Sequence, residues 1–121
     1  MRLLCADDEP DIRTILELAL SLEPSIEAEV LPSGVALLER VKASRPDAIL
    51  LDAMMPELDG YETCRRLKAD PATTDIPVVF LTARAQRGEQ DVALDVGAVA
   101  CLTKPFDPLT LAGELLVALG R

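Results

Sequence analysis

Five residues with chemically active side chains stand at the ends of short apolar runs in this 121-residue chain. They are three carboxylates, a hydroxyl and an ammonium group, namely Asp7, Asp8, Asp52, Thr82 and Lys104. Unit charges ~4 Å apart repel by about 1 kcal/mol in water and by about 4 kcal/mol at an effective dielectric constant of ~20. If the carboxylates converge, Lys104 alone cannot offset them. An all-oxygen, partly hydrated site of this kind suits Mg²⁺.

The same groups suit an incoming phosphoryl group, because a cation, an ammonium and a hydroxyl can neutralise its oxygens and donate hydrogen bonds to them. Each residue taken alone has an ordinary interpretation. Asp8 or Glu9 can cap a helix, and Asp and Thr often begin loops. The prediction of a site therefore depends on all five residues converging.

Convergence requires the apolar runs to be strands of one parallel sheet. Four runs are too short for helices and predict buried strands over residues 3–6, 48–51, 76–81 and 99–102. A fifth stretch, residues 26–31, alternates apolar and acidic side chains. That alternation predicts a strand with one exposed face near the edge of the sheet.

Helical patterns separate these runs. The first begins at Pro10 and ends before Pro24, with an apolar face made of Ile12, Ile15, Leu16 and Ala19. Ser33 is expected to cap the second helix, and the third opens after Asp59-Gly60. Two further helices are predicted over residues 86–96 and 108–119.

Five strands that alternate with five helices through short connections predict a doubly wound α/β domain. In such a sheet, ligands bind beyond the carboxyl ends of the strands, which is where the five residues stand. No linker-like or low-complexity stretch interrupts the pattern. Residues 1–121 are therefore expected to form one domain, with 120–121 as its end or as the start of a linker.

The composition excludes several classes of function. A net charge of −9 disfavours direct binding to nucleic acids or to membrane surfaces. Because the chain has no His, it cannot form a Ser-His-Asp or Cys-His pair or offer an imidazole to zinc. The three Cys residues are far apart, and no segment approaches the ~18 apolar residues of a membrane span. We expect free thiols in a soluble cytoplasmic protein.

Four segments carry a family resemblance: Leu3-Leu4-Cys5-Ala6-Asp7-Asp8-Glu9, Asp52-Ala53-Met54-Met55-Pro56-Glu57-Leu58-Asp59-Gly60, Leu81-Thr82-Ala83 and Leu102-Thr103-Lys104-Pro105-Phe106. In this order, and over essentially the whole chain, they resemble the receiver domains of bacterial two-component response regulators. The resemblance implies a flavodoxin-like (βα)5 fold with strand order 2-1-3-4-5. It also implies a phosphorylation-dependent signalling switch that catalyses only its own phosphorylation and dephosphorylation.

In such a domain, Asp52 would accept a phosphoryl group from the phospho-histidine of a sensor histidine kinase or a histidine phosphotransfer protein, or from acetyl phosphate. The resemblance implies that Asp8, Asp52 and the main-chain carbonyl of Met54 hold Mg²⁺, with Mn²⁺ as the alternative ion. Asp7 would arrange the waters of the metal. The output would be a downstream effector protein or a fused output domain.

The remaining family roles fall on the last two strands. Lys104 would pair with Asp52 at rest and with the phosphoryl oxygens afterwards. Thr82 would be the switch hydroxyl, and Ala83 is small where the phosphoryl group needs room. The resemblance also implies a cis peptide bond between Lys104 and Pro105.

One departure from the family concerns the second half of the switch. Where family members usually carry a Tyr or Phe, this chain has Cys101. One interpretation is tolerated drift, with the signal carried by Thr82 and loop movement. The other is that the missing ring leaves a recess on the face made by the fourth helix, the fifth strand and the fifth helix, which would alter the choice of partner.

Two further features bear on signalling. Met54 and Arg84 occupy positions that tune phosphoryl lifetime in the family. Neither side chain can act as the base that activates a hydrolytic water, so we predict slow self-dephosphorylation.

The last helix is apolar over more than one stripe, as Leu109 and Val117 illustrate. That pattern indicates contact with a second surface, either a copy of the chain in a homodimer or a downstream domain, although exposed Ala and frayed ends would give the same pattern.

Three rival functions share parts of this pattern. An aspartyl-phosphate phosphatase would use Asp52 with Mg²⁺, but it usually needs a second Asp where Met54 stands. A flavodoxin-like electron carrier would share the architecture, but the hydroxyl-rich phosphate loop and flanking aromatics are missing. A receiver that has lost phosphorylation would act as a plain interaction module, against which the intact set of site residues argues.

Overall fold

The computed structural model describes residues 1–83 and 87–121, without the side chains of residues 87–90. The described residues form a parallel sheet with helices between successive strands. In chain order the elements are β1 (Arg2–Ala6), α1 (Pro10–Ser21), β2 (Glu27–Leu31), α2 (Gly34–Ala43), β3 (Ala48–Asp52), α3 (Gly60–Ala69), β4 (Val78–Thr82), α4 (Arg87–Asp95), β5 (Ala100–Thr103) and α5 (Leu111–Ala118). The strand order is β2-β1-β3-β4-β5. The predicted doubly wound α/β fold is confirmed.

The sheet separates two apolar cores, because alternate residues of each strand face opposite sides. Along β3, Ile49 and Leu51 pack beneath α2, α3 and α4, whereas Leu50 packs with α1 and α5. All five residues of β3 are buried. The strand β2 lies at one edge of the sheet, as the alternating pattern predicts, and its Glu27 is exposed; β5 lies at the other edge. Burial on both faces leaves the carboxyl edge of the sheet as the place where polar side chains can meet.

Local capping explains where several helices begin. Pro10 is the first residue of α1, and Ser33 caps α2 through its hydroxyl, which accepts a hydrogen bond from the Ala36 amide at 3.1 Å. The Asp59 carboxylate caps α3 by accepting from the Glu62 amide at 2.8 Å. The side chain of Glu9, the residue before α1, makes no such bond, so the capping interpretation does not apply to Glu9.

Two predictions about apolar segments need correction. The strand expected from residue 76 begins at Val78, since Ile76 bonds back to the carbonyl of Thr73 and Pro77 has no amide hydrogen to donate. In α1, Ile15 is 37% exposed and Leu20 takes its place in the core. The buried stripe of α1 is therefore rotated toward Leu20 relative to the predicted one.

The last helix is shorter than predicted. It begins at Leu111, because Asp107 holds residues 107–110 in a turn: its carboxylate accepts from the Leu109 amide at 2.8 Å and its carbonyl accepts from Thr110 and Leu111. Leu109 and Val117 are 81% and 80% exposed, so the predicted apolar surface beside this helix is present. Within the part of the chain that is described, no helix has the length and apolar character needed to cross a membrane.

Candidate functional site

The three predicted carboxylates meet at the carboxyl edge of the sheet. Asp7 directly follows β1 and Asp52 ends β3, and the two strands pair in parallel with Ala6 opposite Leu51. One carboxylate oxygen from each of Asp7, Asp8 and Asp52 lies within 4.8 Å of the others. Asp7 is fully buried and Asp52 is 5% exposed, while Asp8 is half-buried. The predicted convergence of these three residues is confirmed.

Asp7 has a partner for each of its polar groups. Its amide donates to the carbonyl of Leu31 at 3.1 Å, and its own carbonyl accepts from Nη1 of Arg13 at 3.0 Å. Oδ1 accepts from the amide of Glu9 at 2.9 Å, and Oδ2 accepts from Nζ of Lys104 at 2.7 Å. This satisfied network explains how a carboxylate can be fully buried.

Lys104 joins two of the carboxylates. Its Nζ lies 2.7 Å from Oδ2 of Asp7 and 3.3 Å from Oδ2 of Asp52, and its side chain is only 13% exposed. Burial of the ammonium lowers the pKa of Lys104, but the hydrogen bond to Asp7 and the charge of Asp52 outweigh it, so the net shift is upward. Lys104 therefore stays charged at neutral pH. The expected cis peptide bond to Pro105 is present.

Asp52 is less easily ionised than an ordinary carboxyl group. Burial and the negative charge of Asp7 raise its pKa to about 6, while Lys104 and the Met54 amide, which donates to Oδ1 at 3.2 Å, oppose the rise. Two of the three carboxylates are thus buried beside a single ammonium group. Additional positive charge at this place would favour the ionised form of Asp52.

This donor set fits a hard divalent cation. All the side-chain atoms offered are carboxylate oxygens, which Mg²⁺ prefers, and Asp8 is accessible enough to leave room for water. Among the described residues, no hydrogen bond or ion pair engages the Asp8 carboxylate or the Met54 carbonyl oxygen. Both groups are therefore available as ligands.

The other residues predicted to act at the site differ in their exposure. Thr82 ends β4 and is 2% exposed, and its carbonyl accepts from the Lys104 amide at 2.7 Å. Ala83, next along the chain, is exposed. Met54 is 63% exposed, and Arg84 lies outside the described residues.

Cys101 lies beside a cavity between α4 and β5. It is half-buried on β5 and packs against the core beneath α4. The walls of this cavity are Ala93, Leu94, Val99, Ala100 and Cys101. All three cysteines are free thiols, as predicted, and burial strongly raises the pKa of the Cys5 thiol. Cys5 therefore remains protonated and has no nucleophilic role.

Two residues that support the site have no role in the prediction from sequence. Arg13, in the second turn of α1, donates to the carbonyl of Asp7. Gly60 begins α3 against the backbone of Asp52, where a Cβ would overlap the Asp52 carbonyl oxygen and lie 2.9 Å from Cα of Ala53. The position of Arg13, six residues after Asp7 in the sequence, was a usable signal for its contact with Asp7. Nothing local to Gly60 distinguishes close packing from an ordinary helix start.

This chain is similar to known proteins. The family described as response regulator receiver domain matches residues 3–115. The response regulator MprA of Mycobacterium leprae is 43% identical over 121 residues, covering 100% of this chain and 52% of that protein. This chain therefore spans about half the length of the curated relatives it matches.

Solved structures agree with the sequence comparisons. The chemotaxis response regulator CheY4 of Vibrio cholerae has a TM-score of 0.89 at 27% identity over 97% of each chain. The receiver domain of the sensor histidine kinase PA1611 from Pseudomonas aeruginosa has a TM-score of 0.85 at 29% identity, over 99% of this chain and 98% of that one. That receiver domain is described with a magnesium ion coordinated in its active-site cleft.

Proposed function

Because this chain belongs to the family of response regulator receiver domains, the phosphorylation-based switches of two-component signalling, we propose that Asp52 is its phosphorylation site. The observation that carries the proposal is the meeting of three carboxylates within 4.8 Å beside Lys104. A nucleophilic carboxylate needs its charge offset and its orientation held. Lys104 and the Met54 amide do this for Asp52, each on a different oxygen.

In the proposed reaction, a carboxylate oxygen of Asp52 attacks the phosphorus atom of a phospho-histidine. The P–N bond breaks, and the departing imidazole nitrogen keeps the electron pair. Lys104 stays beside the transferred group and pairs with its oxygens, and Thr82 supplies the switch hydroxyl. The chain acts on its own Asp52 and not on a pool of substrate.

Asp8, Asp52 and the carbonyl of Met54 would hold Mg²⁺, or Mn²⁺ as the alternative, with Asp7 arranging its waters. When bound, the cation would neutralise the carboxylates and the phosphoryl oxygens. The fit of the donor atoms and the magnesium ion described for the PA1611 receiver domain both support this assignment.

Intact mass after incubation with acetyl phosphate and Mg²⁺ tests the proposal. We expect one added phosphoryl group per chain, and none in Asp52→Asn or when EDTA replaces Mg²⁺. Asp11→Asn is a matched control, because Asp11 is an exposed carboxylate in the first turn of α1. Equal labelling of Asp52→Asn would overturn the assignment, and continuous turnover of a phosphate ester would point to a phosphatase instead.

The proposed donor is a sensor histidine kinase or a histidine phosphotransfer protein, and the proposed output is an effector protein or a fused output domain. The signal would pass through Thr82 to the face made by α4, β5 and α5. The cavity beside Cys101 supports a partner contact at this face that differs from that of relatives with an aromatic ring there. Unchanged partner affinity in Cys101→Tyr, in both phosphorylation states, would contradict this role.

The proposal also covers the assembly of the chain. Residues 1–121 would form one receiver domain, and the exposed Leu109 and Val117 beside and on α5 support a homodimer through that helix. Sedimentation at several concentrations, with and without a phosphoryl mimic, tests the dimer. The free thiols support a reducing cytoplasmic location.

We expect the phosphoryl group to be lost more slowly from the parent than from Met54→Asn.

A further inference from the structure

Arg13 is a charged residue beside the site that makes no direct contact with its carboxylates. It lies half-buried on α1, and its Nη1 donates to the main-chain carbonyl of Asp7 at 3.0 Å. Among the side chains that the structure describes, no carboxylate lies within ion-pair distance of its guanidinium group. Arg13 thus does not itself pair with the carboxylate oxygens of the site.

The contact made by Arg13 bears on the geometry of Asp8. The Asp7 amide is held by Leu31, the Asp7 carbonyl by Arg13, and the following amide of Glu9 by Oδ1 of Asp7. The peptides before and after the Asp7–Asp8 peptide are thus held by Leu31 and by the Asp7 carboxylate, and the Asp7–Asp8 peptide itself is held at its carbonyl by Arg13. Within the described part of the chain, the Asp8 carboxylate has no hydrogen-bond partner of its own, so its direction depends on the plane of this peptide.

We propose that Arg13 is a positioning residue for the divalent-cation site, holding the Asp7–Asp8 peptide so that the Asp8 carboxylate faces that of Asp52. The inference rests on the proposed function of this site. It assigns to α1 a part in cation binding, through the main chain and without a ligand atom of its own.

A purely electrostatic role and a positioning role for Arg13 predict opposite changes in Mg²⁺ affinity when Arg13 is removed. A positive charge near the carboxylates repels a cation, so removing it would tighten Mg²⁺ binding. A positioning role predicts weaker binding once the hydrogen bond is lost. The sign of the change in affinity therefore distinguishes the two roles.

The experiment is titration of the 121-residue chain with Mg²⁺ by calorimetry, alongside the Mg²⁺ dependence of phosphorylation by acetyl phosphate. In Arg13→Met we expect Mg²⁺ affinity to fall roughly three- to tenfold, as for loss of one hydrogen bond. The phosphorylation rate at saturating Mg²⁺ should change by less than about twofold, because the nucleophile and Lys104 are untouched. Arg13→Lys, which keeps the charge and a donor, should recover most of the affinity.

Arg65→Met is the charge-matched control, since Arg65 is exposed on α3 and pairs with Glu62. Its Mg²⁺ affinity should equal that of the parent. Equal or tighter Mg²⁺ binding in Arg13→Met would overturn the inference. If Arg13→Met does not fold, Arg13→Gln decides by the same criterion, because it removes the charge and shortens the reach. Failure of the parent to bind Mg²⁺, or normal binding in Asp8→Asn, would instead overturn the proposed cation site.

Discussion

The ammonium group of Lys104 lies closer to Asp7 than to Asp52, at 2.7 Å against 3.3 Å. Asp7 is fully buried, and both of its carboxylate oxygens accept hydrogen bonds, from the Glu9 amide and from Lys104. Lys104 is therefore anchored by a residue that does not change during the proposed reaction. It can remain in place when the charge on Asp52 changes, which suits a group that must contact both the free and the phosphorylated carboxylate.

Lys104→Met should destabilise the protein strongly in the absence of divalent cations. The substitution leaves Asp7 and Asp52 buried without their counter-charge, a change that costs about 3–5 kcal/mol. The loss should be smaller at pH 5 than at pH 7.5, because Asp52, whose pKa is raised to about 6, takes up a proton as the pH falls. Mg²⁺ should restore part of the stability.

Chemical denaturation with EDTA or with Mg²⁺, at both pH values, provides the measurement. Lys42→Met is the control, since Lys42 is an exposed lysine on α2, and it should change stability by less than about 0.5 kcal/mol. Equal stability of Lys104→Met and the parent at pH 7.5 would show that the ion pairs do not support the fold.

Asp52→Asn should stabilise the cation-free protein at pH 7.5. The pKa of Asp52 is raised to about 6 in the folded state, above the ~3.9 of an unfolded Asp. Between these values the folded state binds the proton more strongly, so the free energy of unfolding falls as the pH rises from about 4 to about 6. The neutral amide avoids this penalty.

The expected gain is about 1–3 kcal/mol at pH 7.5 and vanishes toward pH 4, where the parent carboxyl group is protonated. Thermal or urea unfolding of both proteins in EDTA across pH 4–8 measures it. Asp11→Asn, which alters an exposed carboxylate, should show no such profile. A parent more stable than Asp52→Asn at pH 7.5 would contradict the raised pKa.

Gly60→Ala should damage the site and the fold together. The added Cβ would overlap the carbonyl oxygen of Asp52, so α3 or the end of β3 must shift. We expect a loss of about 1–3 kcal/mol in stability, as for overpacking, together with weaker Mg²⁺ binding.

Gly113→Ala is the matched control. Gly113 lies within α5, and a Cβ there meets nothing within 4 Å among the described residues. Replacing a helical Gly with Ala should therefore stabilise the protein by about 0.5–1 kcal/mol. Urea unfolding and Mg²⁺ titration of both variants would test the pair, and a Gly60→Ala protein with normal stability and affinity would refute the close-packing argument.

Glu57→Gly should stabilise the loop between β3 and α3. Glu57 is exposed and has a φ of 65°, a left-handed conformation that favours glycine. Relief of this strain should raise stability by about 0.5–1 kcal/mol. Glu17→Gly, at an exposed position inside α1, should instead lower it by about 1 kcal/mol. In thermal unfolding we expect Glu57→Gly to be more stable than the parent and Glu17→Gly to be less stable. A loss of stability in both variants would exclude strain at Glu57.

Features of the structure that depend on residues adjacent in the chain were predicted correctly from the sequence. The alternation of apolar runs and helices, the helix start at Pro10 and the Ser33 cap are local patterns, and all are observed. The apolar run that includes Leu109 predicts too early a start for α5, because Asp107 accepts hydrogen bonds from the amides of Leu109, Thr110 and Leu111 and holds them in a turn. The exposure of Ile15 depends on how α1 packs, which periodicity alone does not specify.

The sequence by itself determined which residues could meet, because parallel strands must bring their carboxyl ends to one edge and Asp7, Asp52, Thr82 and Lys104 stand at those ends. Only the tertiary structure decided how they meet. Lys104 is 97 residues from Asp7 along the chain, and no local pattern selects Asp7 over Asp52 as its nearer partner. The same holds for Arg13 and the Asp7 carbonyl, since that bond depends on how α1 packs against the end of β1.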